Sequence, residues 1–298
     1  MVHIPVLLKE TLTMLDPKPG ENFIDGTFGG GGHSQAVLEK IRPAGKLLAI
    51  DWNEMGFKNC EVLRQAQDTK TNLICFRGNF ANLLEIMRDT NFPPTDGLLL
   101  DLGISSDELE LSGRGFSFQK DEPLLMTYGD DQVPVKQLLR QMSETELTAV
   151  LKSFGEERYA KNIARIIKEQ QRKRPIETTS DLVETIFRAT PARYHHQRLH
   201  PATKTFMALR IYANNELKNL EKVLNDLEKI MAPGGRAGII SFHSLEDRAV
   251  KNHFRKLQKE EKGQVLTKKI IAPSREEMGK NPRSRSAKLR VLKINDFN

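Results

Sequence analysis

The chain has 298 residues, 38% of them hydrophobic and 29% charged, and 46 Lys and Arg against 39 Asp and Glu give a formal net charge of +7. This composition supports a sizeable core and excludes global disorder, and no apolar run reaches the roughly 18 residues that a membrane-spanning helix needs. The first residues lack a basic stretch leading into a long apolar one, so no secretory signal is expected, and two cysteines without metal-ligand spacing, Cys60 and Cys75, read as free thiols of a cytoplasmic protein that binds no metal.

In chain order, Phe23-Ile24 is a short apolar run that enters a glycine-rich loop. Lys46 to Asp51 is a second run, ending in an acid; Asn72 to Phe76 is a third and Gly97 to Leu102 a fourth. Helix-length stretches, Ser34 to Ile41 and Asn53 to Ala66, lie between them. Apolar runs separated by helices predict a parallel sheet with crossover connections.

The pattern then changes. From about Leu109 to Tyr212 the chain reads as helical, opening on a loop, LSGRGFSFQKDEP. Ser143 with Glu146 forms a capping box for a helix to Phe154. Glu156 to Gln171 is a second helix, with Tyr159, Ile163 and Ile167 on one face and Lys161, Arg165, Lys168 and Arg172 on another. Thr179 caps a third, through Arg188. Strand character returns at Gly235 to Phe242, followed by a helix from Leu245 to Leu257, for which Ser244 is the natural cap, and by late strands near Val265 and at Leu289 to Ile294. The expected architecture is an α/β sheet domain made of residues 1–108 and 213–298, interrupted by a helical insertion at 109–212.

The richest local feature is Asp25-Gly-Thr-Phe-Gly-Gly-Gly-Gly-His-Ser34, between a strand and a helix. Glycines there let the backbone approach a ligand closely, and Asp51, at the end of the second strand, stands where an acid reaches ribose hydroxyls in nucleoside-binding α/β folds. The loop fits neither G-x-G-x-x-G nor a phosphate-binding loop with its G-K-[ST]. Asp25 at its mouth disfavours a pyrophosphate and favours a sulfonium cation, so S-adenosylmethionine outranks a dinucleotide. Phe80, after the third strand, can lie against an adenine. Asp101 ends the fourth strand, at the edge where open parallel sheets bind ligands. There is no G-x-S-x-G elbow near His243-Ser244 to support a hydrolase.

Eight segments, in order along almost the whole chain, match one family: His3 to Leu7, Asp25 to Ser34, Asp101 to Ser106, Arg114 to Phe118, Phe154 to Arg158, Arg198 to Thr203, Ile240 to Arg248 and Asn281 to Arg290. The chain resembles the bacterial methyltransferases that modify N4 of a cytidine in the decoding centre of small-subunit ribosomal RNA. The resemblance implies a Rossmann-like S-adenosylmethionine-dependent methyltransferase sheet with an inserted helical cap for substrate recognition. It places cofactor contacts at Gly31, Gly32, His33, Asp51, Phe80, Asp101 and Glu108. The family usually has Gln at the position of Glu108, and its acidic-Met-Arg-Met run appears here as Leu125-Met-Thr-Tyr128.

Asp101 is the candidate proton acceptor. A helical base cannot reach an enclosed methyl donor, so the target must be single-stranded or splayed out, and the helical insertion would clamp that strand. Basic side chains in three groups are candidates for phosphate contact: Arg165 with its helix face, Arg198 and His200 with Lys204 and Arg210, and Arg283 and Arg285 with Lys288 and Arg290. Ribosomal RNA or the assembled small subunit is the expected partner, and the oligomeric state, a homodimer included, stays open. Two other readings remain, a nicotinamide-dependent oxidoreductase and a non-catalytic RNA-binding module; intact Gly31, Gly32, Asp51 and Asp101 argue against the latter.

Overall fold

The structure, a computed structural model, describes residues 5–66, 72–104, 109, 112–197 and 199–296. Glu108 and Arg198 lie outside the described residues, as do His3, Ser105 and Ser106 of the matching segments. The chain divides into two compact units, one of residues 1–103 and 217–298 and the other of 104–216.

The first unit is built on seven strands: β1 (Phe23–Asp25), β2 (Leu47–Asp51), β3 (Leu73–Arg77), β4 (Thr95–Asp101), β5 (Met231–Ser241), β6 (Gly263–Val265) and β7 (Lys288–Ile294). They lie in the order β3-β2-β1-β4-β5-β7-β6. The first five strands pair in parallel, and β7 runs antiparallel to both β5 and β6. Both faces of the sheet are covered, which explains the unbroken apolar runs of the central strands. Along β2, Leu48 and Ile50 enter one core while Leu47 and Ala49 enter the other; along β4, Leu98 and Leu100 part from Leu99 in the same way. The first core is closed by α4 (Leu83–Asp89) and by the helices Glu216–Ile230 and Ser244–Lys259, the second by α1 (Leu8–Leu15), α2 (Gly32–Ile41) and α3 (Glu54–Ala66). β5 starts at Met231, ahead of the expected Gly235, because Met231 already pairs with Thr95 and the Pro-Gly-Gly stretch is absorbed in a register shift.

Cys60 of α3 and Cys75 of β3 form a disulfide, their Cα atoms 5.9 Å apart. This corrects the expectation of two free thiols. Cysteine spacing carries no information on distance, whereas α3 packs back on β3 and brings together residues 15 apart in sequence.

The second unit has its own apolar core, with Leu147, Leu151, Ile163, Ile167, Leu182 and Leu209 all fully buried. Its elements are α5 (Val135–Gln141), α6 (Glu144–Gly155), α7 (Ala160–Lys173), α8 (Thr179–Ala189), α9 (Ala192–His195) and α10 (Thr203–Ala213). Ser143 caps α6 in a capping box with Glu146, as its sequence predicts. For α8 the cap is Thr178 with Asp181, one residue earlier than expected. The Thr179 hydroxyl is engaged elsewhere: it donates to the Lys120 carbonyl at 2.7 Å and accepts the Glu122 N–H at 3.1 Å, tying the glycine-containing loop to the helix.

Candidate active site

Because β2, β1 and β4 are adjacent and parallel, their last residues, Asp51, Asp25 and Asp101, come to one edge of the sheet. The loop after β1 is pinned there by its own backbone. Gly26 donates to the Leu99 carbonyl at 3.0 Å and Phe28 to the Ile50 carbonyl at 2.9 Å. Gly31 has φ +75° and caps α2, and a side chain added to it would meet the Phe28 ring at 2.5 Å. Only glycine meets both demands, the left-handed conformation and the close ring. Gly32 and His33 open α2 directly after it.

Asp51 is held by backbone donors. Its Oδ2 accepts the Gly29 N–H at 2.7 Å and its Oδ1 the Asn53 N–H at 2.8 Å. Gly56 of α3 makes room for this carboxylate: a Cβ there would lie 2.1 Å from Asp51 Oδ2. Asn59, one turn on, donates to the Gly29 carbonyl at 3.2 Å. Gly78, after β3, donates to the Asp51 carbonyl at 2.9 Å, which brings the half-buried Phe80, first residue of a 3-10 turn, to the same edge.

Asp25 and Asp101 are joined through Thr27. Asp25 accepts the Thr27 N–H at 3.1 Å and the Ser34 hydroxyl at 2.7 Å; the Asp101 N–H donates to Thr27 Oγ1 at 2.7 Å. Burial raises the Asp25 carboxyl above its ordinary range, against the pull of these hydrogen bonds. Burial likewise pushes Asp101 up to about 7, helped by the neighbouring Asp25 and more weakly by Glu246, and opposed by a hydrogen bond from the Gly103 backbone. Asp101 Oδ1 is buried with no hydrogen-bond partner among the described residues. Its Oδ2 is 3.9 Å from His33 Nδ1, beyond hydrogen-bond reach, while His33 Nε2 lies 3.0 Å from the Val6 carbonyl. A carbonyl accepts only, so His33 Nε2 carries a proton and donates to it, which turns Nδ1 toward Asp101.

Glu246 is a further buried acid. Its Oε2 accepts the N–H groups of Phe242 and His243, at 2.9 and 3.3 Å, and its Oε1 is 3.1 Å from His243 Nε2. His243, not Ser244, caps the helix α12 (Ser244–Lys259) in a capping box with Glu246. The ring nitrogen reaches the N3 amide because His243 adopts the extended conformation at the end of β5, which leaves Ser244 inside the first turn.

The sheet edge therefore gathers Gly31, Gly32, His33, Asp51, Phe80 and Asp101. The candidate phosphate-contacting residues are dispersed. Arg165 is turned to Glu169 and Asn162 of its own helix. His200 stacks on Phe118 with ring centroids 4.5 Å apart, and burial lowers its pKa, which keeps the ring neutral near pH 7. Arg283 and Arg285 are exposed on the 3-10 turn Pro282–Ser286. Arg210 forms an ion pair with Glu216, and Arg290 and Lys288 both face Asp247. Sequence reasoning passed over Thr27, Gly56 and Asn59; their types are ordinary, and only the approach of Asp51 and Asp101 gives them a role.

The MraW methylase family matches residues 1–295. Among individual proteins, the chain is 41% identical to Ribosomal RNA small subunit methyltransferase H of Trichlorobacter lovleyi over 312 residues, covering 97% of each. It is 40% identical to the proteins of the same name from Syntrophus aciditrophicus, over 97% of this chain and 96% of the relative, and from Clostridium botulinum strain Kyoto, over 98% of both.

Proposed function

This chain belongs to the MraW methylase family, and on that premise we propose that it transfers a methyl group from S-adenosylmethionine to small-subunit ribosomal RNA, at N4 of a cytidine in the decoding region. The relatives' names carry the ribosomal RNA substrate; the resemblance of the eight segments carries the cytidine. The observation on which the chemistry rests is Asp101, a part-buried carboxylate with one buried, unpartnered oxygen beside a glycine loop.

The residues present fit the cofactor. Asp51 places a carboxylate acceptor of the kind that binds ribose hydroxyls at the end of the second strand, the backbone at Gly31 and Gly32 allows close approach, and Phe80 offers an apolar ring to an adenine. Asp25, Asp101 and Glu246 concentrate negative potential where a cation would sit. S-adenosylmethionine, when bound, supplies a methyl group activated by the positive charge on its sulfur.

The cytosine amine is a weak nucleophile because its lone pair is delocalised into the ring. The protein's share is then to hold N4 in line, a contribution of several kcal/mol, and to accept the proton that N4 sheds as it gains the methyl group. Asp101, with a pKa of about 7, is an effective acceptor near neutral pH. The helical unit, with its exposed cations, is the part assigned to RNA recognition.

The test is Asp101→Asn, with cofactor affinity and turnover measured separately. Turnover should fall by about 10² to 10⁴-fold while the cofactor still binds; unchanged turnover would remove Asp101 from the chemistry. Titration with S-adenosylmethionine and with NAD separates this reading from an oxidoreductase. Mass spectrometry of the modified RNA, expected to show N4-methylcytidine, identifies the atom.

A further inference from the structure

We propose that the helical unit carries a pocket for a phosphate group of the RNA backbone, in the hollow between α5 and the C-terminal half of α7. The hollow is open to solvent, has a volume of about 400 Å³ and is lined by Arg140, Lys168, Gln171, Arg172 and Pro175. That volume is larger than one phosphate requires and accommodates a phosphodiester with its flanking sugar. The proposal rests on the ribosomal RNA reading given above.

Three of the five lining residues are cations and none is an acid. Lys168 is fixed in place: its Nζ donates to the Leu139 and Arg140 carbonyls, at 2.9 and 3.1 Å, at the C-terminal end of α5. Burial lowers its pKa, and the charge of Arg172 lowers it further, against a small opposing effect of Glu146. Like charges held together in a partly desolvated hollow repel, and an anion seated among them reverses the sign of that interaction. Arg140 is paired with Glu177, but Lys136 shares the same carboxylate at 3.2 Å, so one acid serves two cations. The Arg172 side chain has no ion pair or hydrogen bond among the described residues.

Gln171 supplies an independent observation. Its Oε1 accepts the Ile176 N–H at 3.4 Å, which orients the amide, and its Nε2 is buried without a partner among the described residues. An unpaired enclosed donor is unfavourable, and a phosphate oxygen is the acceptor that the surrounding cations would select. An ammonium at a fixed position, an exposed guanidinium and an amide donor form a site for a tetrahedral oxyanion, which positions a strand without reading its sequence.

The experiment compares the full-length wild type with Arg172→Gln and with Lys173→Gln, an exposed neighbour outside the hollow. Binding of a short single-stranded RNA is measured against salt concentration. For Arg172→Gln the affinity should fall about 2- to 5-fold and the log–log salt slope should shrink by about 0.7; KM for RNA should rise, with kcat and S-adenosylmethionine affinity unchanged. Lys173→Gln should leave the slope intact. An unaltered slope in Arg172→Gln, or the same loss in both variants, overturns the pocket in favour of diffuse surface charge. Inorganic phosphate that binds at low millimolar concentration, to the wild type and not to Arg172→Gln, without displacing RNA would assign the pocket to the free ion and overturn the RNA assignment. A wild type that takes up S-adenosylmethionine but shows no salt-dependent RNA binding overturns the ribosomal RNA reading itself, and the phosphate titration then decides the pocket alone.

Discussion

The Asp101 backbone N–H donates to the hydroxyl of Thr27 at 2.7 Å, although the two residues are 74 apart in sequence. Through Thr27, whose own N–H reaches Asp25 at 3.1 Å, the ends of β1 and β4 are locked at the spacing that puts two carboxylates together. Thr27→Val keeps the shape and removes the acceptor. It should lower stability by about 1–2 kcal/mol, since the Asp101 N–H is left unpaired in a part-buried place, and Thr27→Ser should restore most of it. Thermal unfolding of the three proteins checks this; equal melting temperatures would show that the bond contributes nothing.

The raised carboxyl of Asp101 gives a pH dependence with a definite sign. In the folded state the group keeps its proton up to about pH 7, whereas the unfolded chain loses it near 3.8. Between those values the folded state binds more protons, so this group's contribution to stability falls as pH rises and levels off above 7. Asp25, raised in the same direction, acts likewise and is coupled to Asp101, so the difference between wild type and Asp101→Asn reports Asp101 together with that coupling. Wild type should lose stability relative to the variant between pH 4 and 7. Turnover, which needs the carboxylate, should climb through pH 7; a flat activity profile counts against Asp101 as the acceptor.

Gly56→Ala sets two effects against each other. Alanine favours a helix by roughly 0.5–1 kcal/mol over glycine, yet its Cβ would stand 2.1 Å from Asp51 Oδ2. The carboxylate must swing away, so cofactor affinity should drop at least about tenfold while the melting temperature hardly changes. Calorimetric titration with S-adenosylmethionine is the measurement. Unchanged affinity would remove Asp51 from the binding site.

Arg114 binds the loop of the helical unit to the segment that replaces the family's acidic-Met-Arg-Met run. Its Nε donates to the Thr127 carbonyl at 2.7 Å, one terminal nitrogen to the Thr127 hydroxyl at 2.8 Å, and the other to Asp130 at 2.8 Å. A lysine has no planar fork to make these bonds together. Arg114→Lys should cost about 1–3 kcal/mol in urea unfolding, close to the loss in Arg114→Ala. Full rescue by lysine would reduce Arg114 to a point charge.

The disulfide between Cys60 and Cys75 predicts that protein purified without reductant has no alkylatable thiol and that reduced protein has two. Closing a loop of about 15 residues stabilises by at most about 3 kcal/mol in the chain-entropy account, so reduction should lower the denaturation midpoint by a corresponding amount. Two reactive thiols in unreduced protein would refute the pairing.

Much of the sheet was legible before the structure. Runs such as Lys46 to Asp51 and Gly97 to Leu102 are apolar on both faces because helices cover both faces, and an acid at the end of such a run has few places to be except the ligand edge. The capping box of Ser143 and Glu146 was equally plain, since all its bonds lie within four residues. The caps at Thr178 and His243 were misjudged by one residue: the Thr179 hydroxyl answers to Lys120 and Glu122, nearly sixty residues away, and at His243 a ring nitrogen fills the capping place that a serine hydroxyl usually takes.

Periodicity and residue type alone determined that this chain has a parallel α/β core and a glycine loop followed by acids. They act over a few residues, and the physics they report, burial of one face and relief of backbone strain, is local. Tertiary structure decided that Asp25 and Asp101 share Thr27, that Gly56 clears space for Asp51, that Arg290 is turned to Asp247, and that Arg140, Lys168 and Arg172 surround one hollow. Those outcomes depend on distances between segments far apart in the chain, and electrostatic and hydrogen-bond energies follow distance in space, not position in sequence.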